Sequence, residues 1–241
     1  MKNQNDPTAK YYDLVSSHIK PSEITHQEIE LIKALVPEGA SILDIGCGTG
    51  RHSIPLLELG FDVYGVEESK GMINALRSKV KDQSLTNFQN DNIFSAHFDQ
   101  KFDLLILFWN TFNEIALNHE DAEKLIQKLS ELISENGKIL INSDNPASWD
   151  VSNFSHSFST NIEGKEAKFV WEIIEHDKKL NVTISKETLI LDDKPAYEAL
   201  IKQRWYSVEE YSELFHRMGF TVEQKSIKGN GELYLVISKS N

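Results

Sequence analysis

Apolar residues along this chain recur at strand spacing, then at helical spacing, and then alternate again. Ser41, Ile42, Leu43 and Ile45 favour a first strand, and Gly46 to Gly50 break regular structure. Ile54, Leu56, Leu57 and Leu59 give a short helix closed by Gly60, after which Phe61 to Val66 forms a second strand. Ser69 caps a helix with Met72, Ile73, Leu76 and Val80 on one face, and a third short strand falls near Phe88. Phe102 to Phe108 is an apolar run of the kind buried on both faces of a parallel sheet. Ala122, Leu125, Ile126, Leu129, Leu132 and Ile133 hold a helical stripe ending at Asn136 and Gly137, and Lys138 to Asn142 is a fifth strand. This alternation predicts an α/β fold with a doubly wound, mostly parallel sheet.

The pattern changes after Pro146. Phe169 to Ile174, Leu180 to Leu191 and Tyr197 to Arg204 read as three extended segments separated by turn-like stretches, predicting a small antiparallel β insertion before the sixth strand. Ser207 and Glu210 form a capping box that opens a helix with Tyr211, Leu214, Phe215 and Met218 inward, stopped by Gly219. Two closing strands, near Phe220 to Ile227 and Glu232 to Ser238, pair as a C-terminal antiparallel hairpin. The expected organisation is a helical lid over 1–40, a nucleotide-binding domain over 41–146 and 205–241, and an inserted substrate cap over 147–204.

Composition narrows the class. A chain of 241 residues, 40% hydrophobic and 26% charged, buries one large core with an insertion and has no low-complexity tract. No apolar run spans a bilayer and residues 1–10 lack a signal-peptide stretch, so a cytoplasmic protein without membrane contact is expected. A formal charge of −12 disfavours nucleic acid as a partner, because phosphate backbones are gripped by clustered Lys and Arg. The single cysteine, Cys47, excludes an intramolecular disulfide, and the histidines lack ligand spacing, so no metal is expected.

Candidate chemistry centres on Asp44-Ile45-Gly46-Cys47-Gly48-Thr49-Gly50, which leaves the first strand where open α/β sheets place ligands. Glycines there let backbone approach a ligand without Cβ interference, and Cys47 reads as a small filler in the turn. The dinucleotide fingerprint needs a third glycine at position 51, where this chain has Arg51. Glu67, ending the second strand with Glu68 beside it, stands where a carboxylate accepts from both hydroxyls of a ribose. Asp91 and Asn92 follow the third strand, able to read an exocyclic amine, with Met72 and Ile93 placed to sandwich a purine ring.

With the final hairpin, these residues resemble the class I S-adenosylmethionine-dependent methyltransferases over essentially the whole chain. The opening Tyr12-Asp13-Leu14-Val15, the strand-four run ending Phe108-Trp109-Asn110, the insertion before Arg204, and the closing Gly231-Glu232-Leu233-Tyr234 look most like small-molecule members such as the amino-sugar N,N-dimethyltransferases. The resemblance implies a seven-stranded sheet and S-adenosyl-L-methionine as cofactor. It implies Gly46, Gly48 and Gly50 along the methionine half, Asp44 orienting that half through its amino group or a water, Glu67 on the ribose, and Asp91 and Asn92 at adenine. Phe108 would lie beside the cofactor, and Tyr12 would close over its carboxylate from the lid.

In-line displacement from a sulfonium needs alignment and water exclusion more than a strong base. A small-molecule acceptor, an amine nitrogen above others, would be met by Asn110, with Asn113, Glu114 and Asp144 as the catalytic candidates at the ends of the fourth and fifth strands and a carboxylate among them able to take the amine proton. Trp171, Arg204 and Trp205 are expected walls of the acceptor pocket. A non-catalytic S-adenosylmethionine-binding module and an NAD-dependent oxidoreductase remain as alternatives, and the expected assembly is a monomer or a homodimer.

Overall fold

Short apolar runs bounded by turn residues become the strands β1 (Ser41–Ile45), β2 (Asp62–Val66), β3 (Phe88–Gln89), β4 (Phe102–Leu107) and β5 (Ile133–Ser143) in a computed structural model that describes residues 7–80, 82–148, 150–151 and 154–240. With β10 (Phe220–Lys225) and β11 (Leu233–Lys239) they form a seven-stranded sheet ordered β10-β11-β5-β4-β1-β2-β3. β1 pairs parallel with both β2 and β4, whereas β11 runs antiparallel to β5 and β10. The chain winds outward from β1 in both directions, so the carboxyl ends of β1 and β4 diverge and leave a crevice between them.

Helices cover both faces. Leu43 and Ile45 point toward α6 (His119–Leu132) and α7 (Val208–Arg217), while Ile42 points toward α2 (Ser22–Leu35), α3 (Ser53–Glu58) and α4 (Lys70–Lys79). Burial on both sides explains why β1 and β4 read as nearly continuous apolar runs. The predicted caps are present: Ser69 accepts from the Met72 amide at the start of α4, and Ser207 with Glu210 forms a reciprocal box on α7. α6 ends at Leu132, short of the predicted Asn136 and Gly137, because Ile133 already pairs with Phe102 across a register shift. Among the described residues no helix is long and apolar enough to cross a membrane.

The insertion is a four-stranded antiparallel sheet: β6 (Ser155–Ile162), β7 (Lys165–Asp177), β8 (Val182–Leu191) and β9 (Lys194–Arg204), in that order. The reading of three strands missed β6. Its Ser155, His156, Ser157 and Ser159 are exposed and only Ile162 is buried, so an edge strand paired on one side carries no apolar signal.

The two N-terminal helices part company. α2 buries Ile29 and Ile32 in the core of the large sheet. α1 (Pro7–Ile19) instead lays Val15, with Leu14 and Ile19 beside it, on Ile162, Phe169, Leu189 and Tyr197 of the insertion. Residues 1–6 of the expected lid lie outside the described residues.

The insertion returns to the large sheet through buried side chains. The Trp205 indole N–H donates to Thr183 Oγ1 at 2.9 Å, and the Asn113 amide, on the short helix α5 (Thr111–Ile115), donates to the Arg204 carbonyl at 2.6 Å. Asn113 also accepts from the Tyr211 hydroxyl at 2.9 Å and has no exposed surface. Its replacement removes both of these buried hydrogen bonds from the interior. Asn113→Ala is therefore expected to lower the unfolding free energy by about 1–3 kcal/mol, read as a fall in the urea midpoint at constant slope.

Candidate functional site

A cavity of about 840 Å³ opens at the carboxyl ends of β1, β2 and β4, roofed by α1 and by β9. Its floor is the turn after β1, where Gly46, Gly48 and Gly50 take φ values of 73°, 54° and 93°. The three glycines serve different ends. A Cβ on Gly46 would stand 2.8 Å from Thr111 Oγ1, and one on Gly50 would stand 2.8 Å from Ile54 Cδ1. A Cβ on Gly48 would meet only the Gly46 carbonyl, at 4.0 Å. Gly46 and Gly48 line the cavity, whereas Gly50 lies against a second hollow of about 670 Å³ behind α1. Cys47 is buried behind the turn, where a Cβ on Gly65 would come within 2.8 Å of its sulfur, and burial pushes its thiol pKa well up. It packs the turn, and a thiol so disfavoured from ionising is no nucleophile.

The acidic residues around the turn are already engaged. Glu67 accepts from the Gly48 amide at 3.2 Å and from the Ser69 amide at 2.7 Å, which ties the end of β2 to the turn and to the first turn of α4. Asp44 is buried and accepts from Ser53 Oγ at 2.6 Å; burial raises its pKa to about 6, against the pull of that hydrogen bond and of Arg51. Asp91 accepts from Ser95 Oγ at 2.6 Å and from the Asn92 amide at 2.7 Å, bonds that lower its pKa. The Asn92 amide donates to Glu68. Met72, Ile93, Phe108 and Tyr12 reach the cavity wall with these residues, so twelve of the thirteen positions read from the sequence around the cofactor meet there, all but Gly50.

The residues assigned to the acceptor divide. Asn110, Glu114 and Trp171 line the cavity. Asn113 and Arg204 do not: the first is the buried bridge described above, and the guanidinium of the second donates to Glu210 at 2.9 Å and to His119 at 3.0 Å. Trp205 is fully buried at the same junction and is no cavity wall. Asp144 also stops short of the cavity, because it is locked to Asn110 by two hydrogen bonds of 2.8 Å. That lock holds a strained turn in which Trp109 and Asn110 have φ values of 52° and 65°. Such backbone is costly for residues with a Cβ and persists where its surroundings fix it. Here Asn142 fixes it from β5, accepting from both amides, at 2.9 Å and 3.2 Å.

Sequence reasoning missed the buried network behind the turn. Glu28 of α2, without exposed surface, accepts from Arg51 at 2.6 Å, from His52 at 2.9 Å and from the Tyr234 hydroxyl at 2.9 Å. Burial opposes its charge, yet His52, Arg51 and Lys20 outweigh that and hold its pKa down at about 2. Burial and the Arg51 charge push His52 to about 4, so it stays neutral at pH 7 and donates to the carboxylate. Burial likewise lowers Lys20 to about 8 while it pairs with Glu232. The one available signal was a Glu inside the apolar stripe of a helix. The cap residues Glu187 and Tyr197, also on the wall, carried no signal, since strand alternation does not say which face meets a cavity.

Residues 42–137 match the family described as "Methyltransferase domain". A putative methyltransferase of Bacillus subtilis, YqeM, is 25% identical over 219 residues, covering 90% of this chain and 86% of its own. The solved structure of the CcbJ methyltransferase from Streptomyces caelestis superposes with a TM-score of 0.82 at 19% identity, over 100% of this chain and 99% of that one. The sugar N-methyltransferase KedS8 from a Streptoalloteichus species superposes with a TM-score of 0.78 at 17% identity, over 95% and 93%.

The differing glycines give a paired expectation. Gly46→Ala adds a Cβ against Thr111 to an already left-handed backbone and should cost about 2–4 kcal/mol, whereas Gly48→Ala pays only the backbone strain of about 1–2 kcal/mol. Thermal unfolding of both variants beside the parent checks the order, and equal losses would contradict it.

Proposed function

Because the chain is a class I S-adenosylmethionine-dependent methyltransferase, we propose that it methylates an amine nitrogen of a small molecule held between the large sheet and the inserted cap. The observation that carries this reading is the charge of the cavity wall. Arg51 is its one guanidinium among the described residues, facing carboxylates from Asp44, Glu67, Glu114 and Glu187. A cavity of that sign gathers cations, and an amine arrives as one. The likeness to a sugar N-methyltransferase supports the same choice of atom.

The residues present fit the cofactor. Gly48 leaves bare backbone facing open space, Glu67 ends β2 beside it, and Arg51 offers a cation near the turn. In this reading Gly46 and Gly48 flank the methionine half, Asp44 takes its ammonium, Arg51 its carboxylate and Glu67 the ribose hydroxyls. Asp91 and Asn92 meet adenine, with Met72 and Ile93 against the ring and Phe108 at the rear. Bound there, S-adenosyl-L-methionine supplies a sulfonium methyl activated for in-line displacement.

The chain's own part is to hold the acceptor, strip its proton and exclude water. Glu114 of α5 and Glu187 of β8 lie on the cavity wall, and both charges bear on the Tyr12 phenol. Burial, those carboxylates and Glu67 raise its pKa, against the pull of Arg51, so Tyr12 remains a neutral donor at any physiological pH. One of the two glutamates takes the amine proton and frees the nitrogen lone pair. α1 acts as the lid, since it presents Tyr12, Val15 and Ile19 to the cavity while resting on the cap.

Turnover on a panel of amines and hydroxy compounds tests the atom class; methylation of hydroxyls with none of amines would reject it. Glu114→Gln or Glu187→Gln should lower kcat by about tenfold or more and leave S-adenosylhomocysteine affinity near the parent value. Affinity for that product should also depend on pH through Asp44. Its ionised form meets the ligand ammonium, so binding is flat above pH 7 and weakens by about tenfold for each unit below 6. Calorimetry across pH 5–8 reads this directly, and in Asp44→Asn the slope should vanish.

A further inference from the structure

Behind the strained turn after β4 runs a closed circuit of contacts. Asn142 of β5 is buried, and the two ends of its side-chain amide have different partners. Oδ1 accepts from the Trp109 amide at 2.9 Å, and Nδ2 donates to Glu232 Oε2 at 2.8 Å. Glu232 Oε2 lies 3.1 Å from the Tyr234 hydroxyl, which lies 2.9 Å from Glu28, the partner of Arg51. The Arg51 guanidinium faces the Trp109 indole at 5.6 Å, and there the circuit closes. Lys20 sits inside it, paired with Glu232 and 5.9 Å from the same indole.

Trp109, Arg51 and Tyr12 line the cavity, whereas Asn142 and Glu232 do not. The indole stands against both of the others, 5.8 Å from the Tyr12 ring. Its place depends on backbone at a φ of 52°, costly for a residue with a Cβ and kept only where neighbours hold it. Asn142 Oδ1 supplies that hold in one orientation alone. Turned over, the amide would aim a donor at the Trp109 N–H and an acceptor at a carboxylate. Glu232, which only accepts while ionised, therefore fixes which end of Asn142 meets the turn.

We propose that Asn142 and Glu232 are positioning residues for the methionine end of the cofactor, acting through Trp109, which backs Arg51 and Tyr12. This role rests on the reading of Arg51 as the group that meets the cofactor carboxylate. Without the Oδ1 acceptor the Trp109 amide loses its partner, the turn relaxes, and the indole moves off Arg51 and Tyr12. The adenosine end lies toward β2 and β3, on the other side of β1 from β4 and β5, and keeps its own contacts.

Calorimetry of the full chain with S-adenosylhomocysteine and with methylthioadenosine, which lacks the amino-acid end, tests this role. In Asn142→Ala, affinity for S-adenosylhomocysteine should fall by about tenfold or more, while that for methylthioadenosine stays within about twofold of the parent. A loss shared equally by both ligands marks a merely structural role and overturns the proposal, as does a loss in neither. Arg51→Gln separates the proposal from the reading beneath it. If Arg51→Gln loses S-adenosylhomocysteine selectively and Asn142→Ala does not, positioning by Asn142 is overturned and the Arg51 reading stands. If Arg51→Gln loses no selectivity, both fall.

Should Asn142→Ala fail to fold, Asn142→Asp keeps the shape and carries the test. Two carboxyl groups so close share a proton, so at low pH the new group donates to Glu232 as the amide did. That proton, and the donor with it, is lost as pH rises. Lys20, Glu28, Arg51 and Asp144 are the other charged groups around this pair, and burial raises the pKa of the Tyr234 phenol beside them. Burial lowers Lys20 to about 8, so the variant is compared with the parent at each pH. The deficit in S-adenosylhomocysteine affinity should be small at pH 6.5 and about tenfold at pH 8.5. A deficit that does not grow with pH overturns the proposal.

Discussion

The turn from β1 into α3 is the constraint on which the rest of the site depends. At Gly46 the chain reverses under Thr111, and at Gly50 it passes against Ile54, so side chains are excluded by packing at both ends of the turn. Only Gly48 is bare for want of anything facing it. One repeating motif thus combines two jobs. The flanking glycines let the turn exist, and the central one leaves the backbone open toward the cavity. Glu67 binds the Gly48 amide and so couples the second strand to the same turn, which makes the floor of the cavity a single hydrogen-bonded unit.

Behind that floor lies a buried ionic cluster, and its arrangement explains how a guanidinium can stand at the edge of an acidic cavity. Buried charges persist when paired and hydrogen-bonded. Glu28 supplies the pairing for Arg51, and His52 and Tyr234 complete its acceptor capacity. Lys20 and Glu232 extend the cluster to the segment joining α1 to α2 and to the strand β11. Elements far apart in the chain meet at one carboxylate, so the position of Arg51 is set by tertiary packing and not by the turn alone. The indole of Trp109, held out by the strained turn after β4, lies 5.6 Å from the Arg51 guanidinium and 5.8 Å from the Tyr12 ring.

The cap and α1 form the other half. They share one apolar cluster, so the helix over the cavity is attached to the insertion. Asp13 accepts from the buried Thr49 hydroxyl at 2.5 Å and pairs at the surface with Lys79, which fastens α1 to the glycine turn and to α4. Exposed ion pairs are weak.

Much of this was legible in the sequence. Period and punctuation alone determined the seven sheet strands and the helices between them other than the five-residue α5, because a strand buried on both faces and a helix buried on one leave apolar patterns, whereas a helix of little more than one turn has no period to read. The glycine turn and the acids after β2 and β3 were legible because they follow strand ends, and a doubly wound sheet brings strand ends together. The missed strand β6 had no such pattern, being a polar edge. Tertiary structure alone decided what Arg204, Asn113 and Asp144 do, since polar residues near strand ends can turn to a cavity or to a neighbouring carbonyl, and here they turned to carbonyls, amides and a carboxylate. It alone decided, too, that Glu28 meets Arg51 and that Glu187 faces the cavity. Those choices rest on contacts between residues distant in the chain, where local periodicity carries no information.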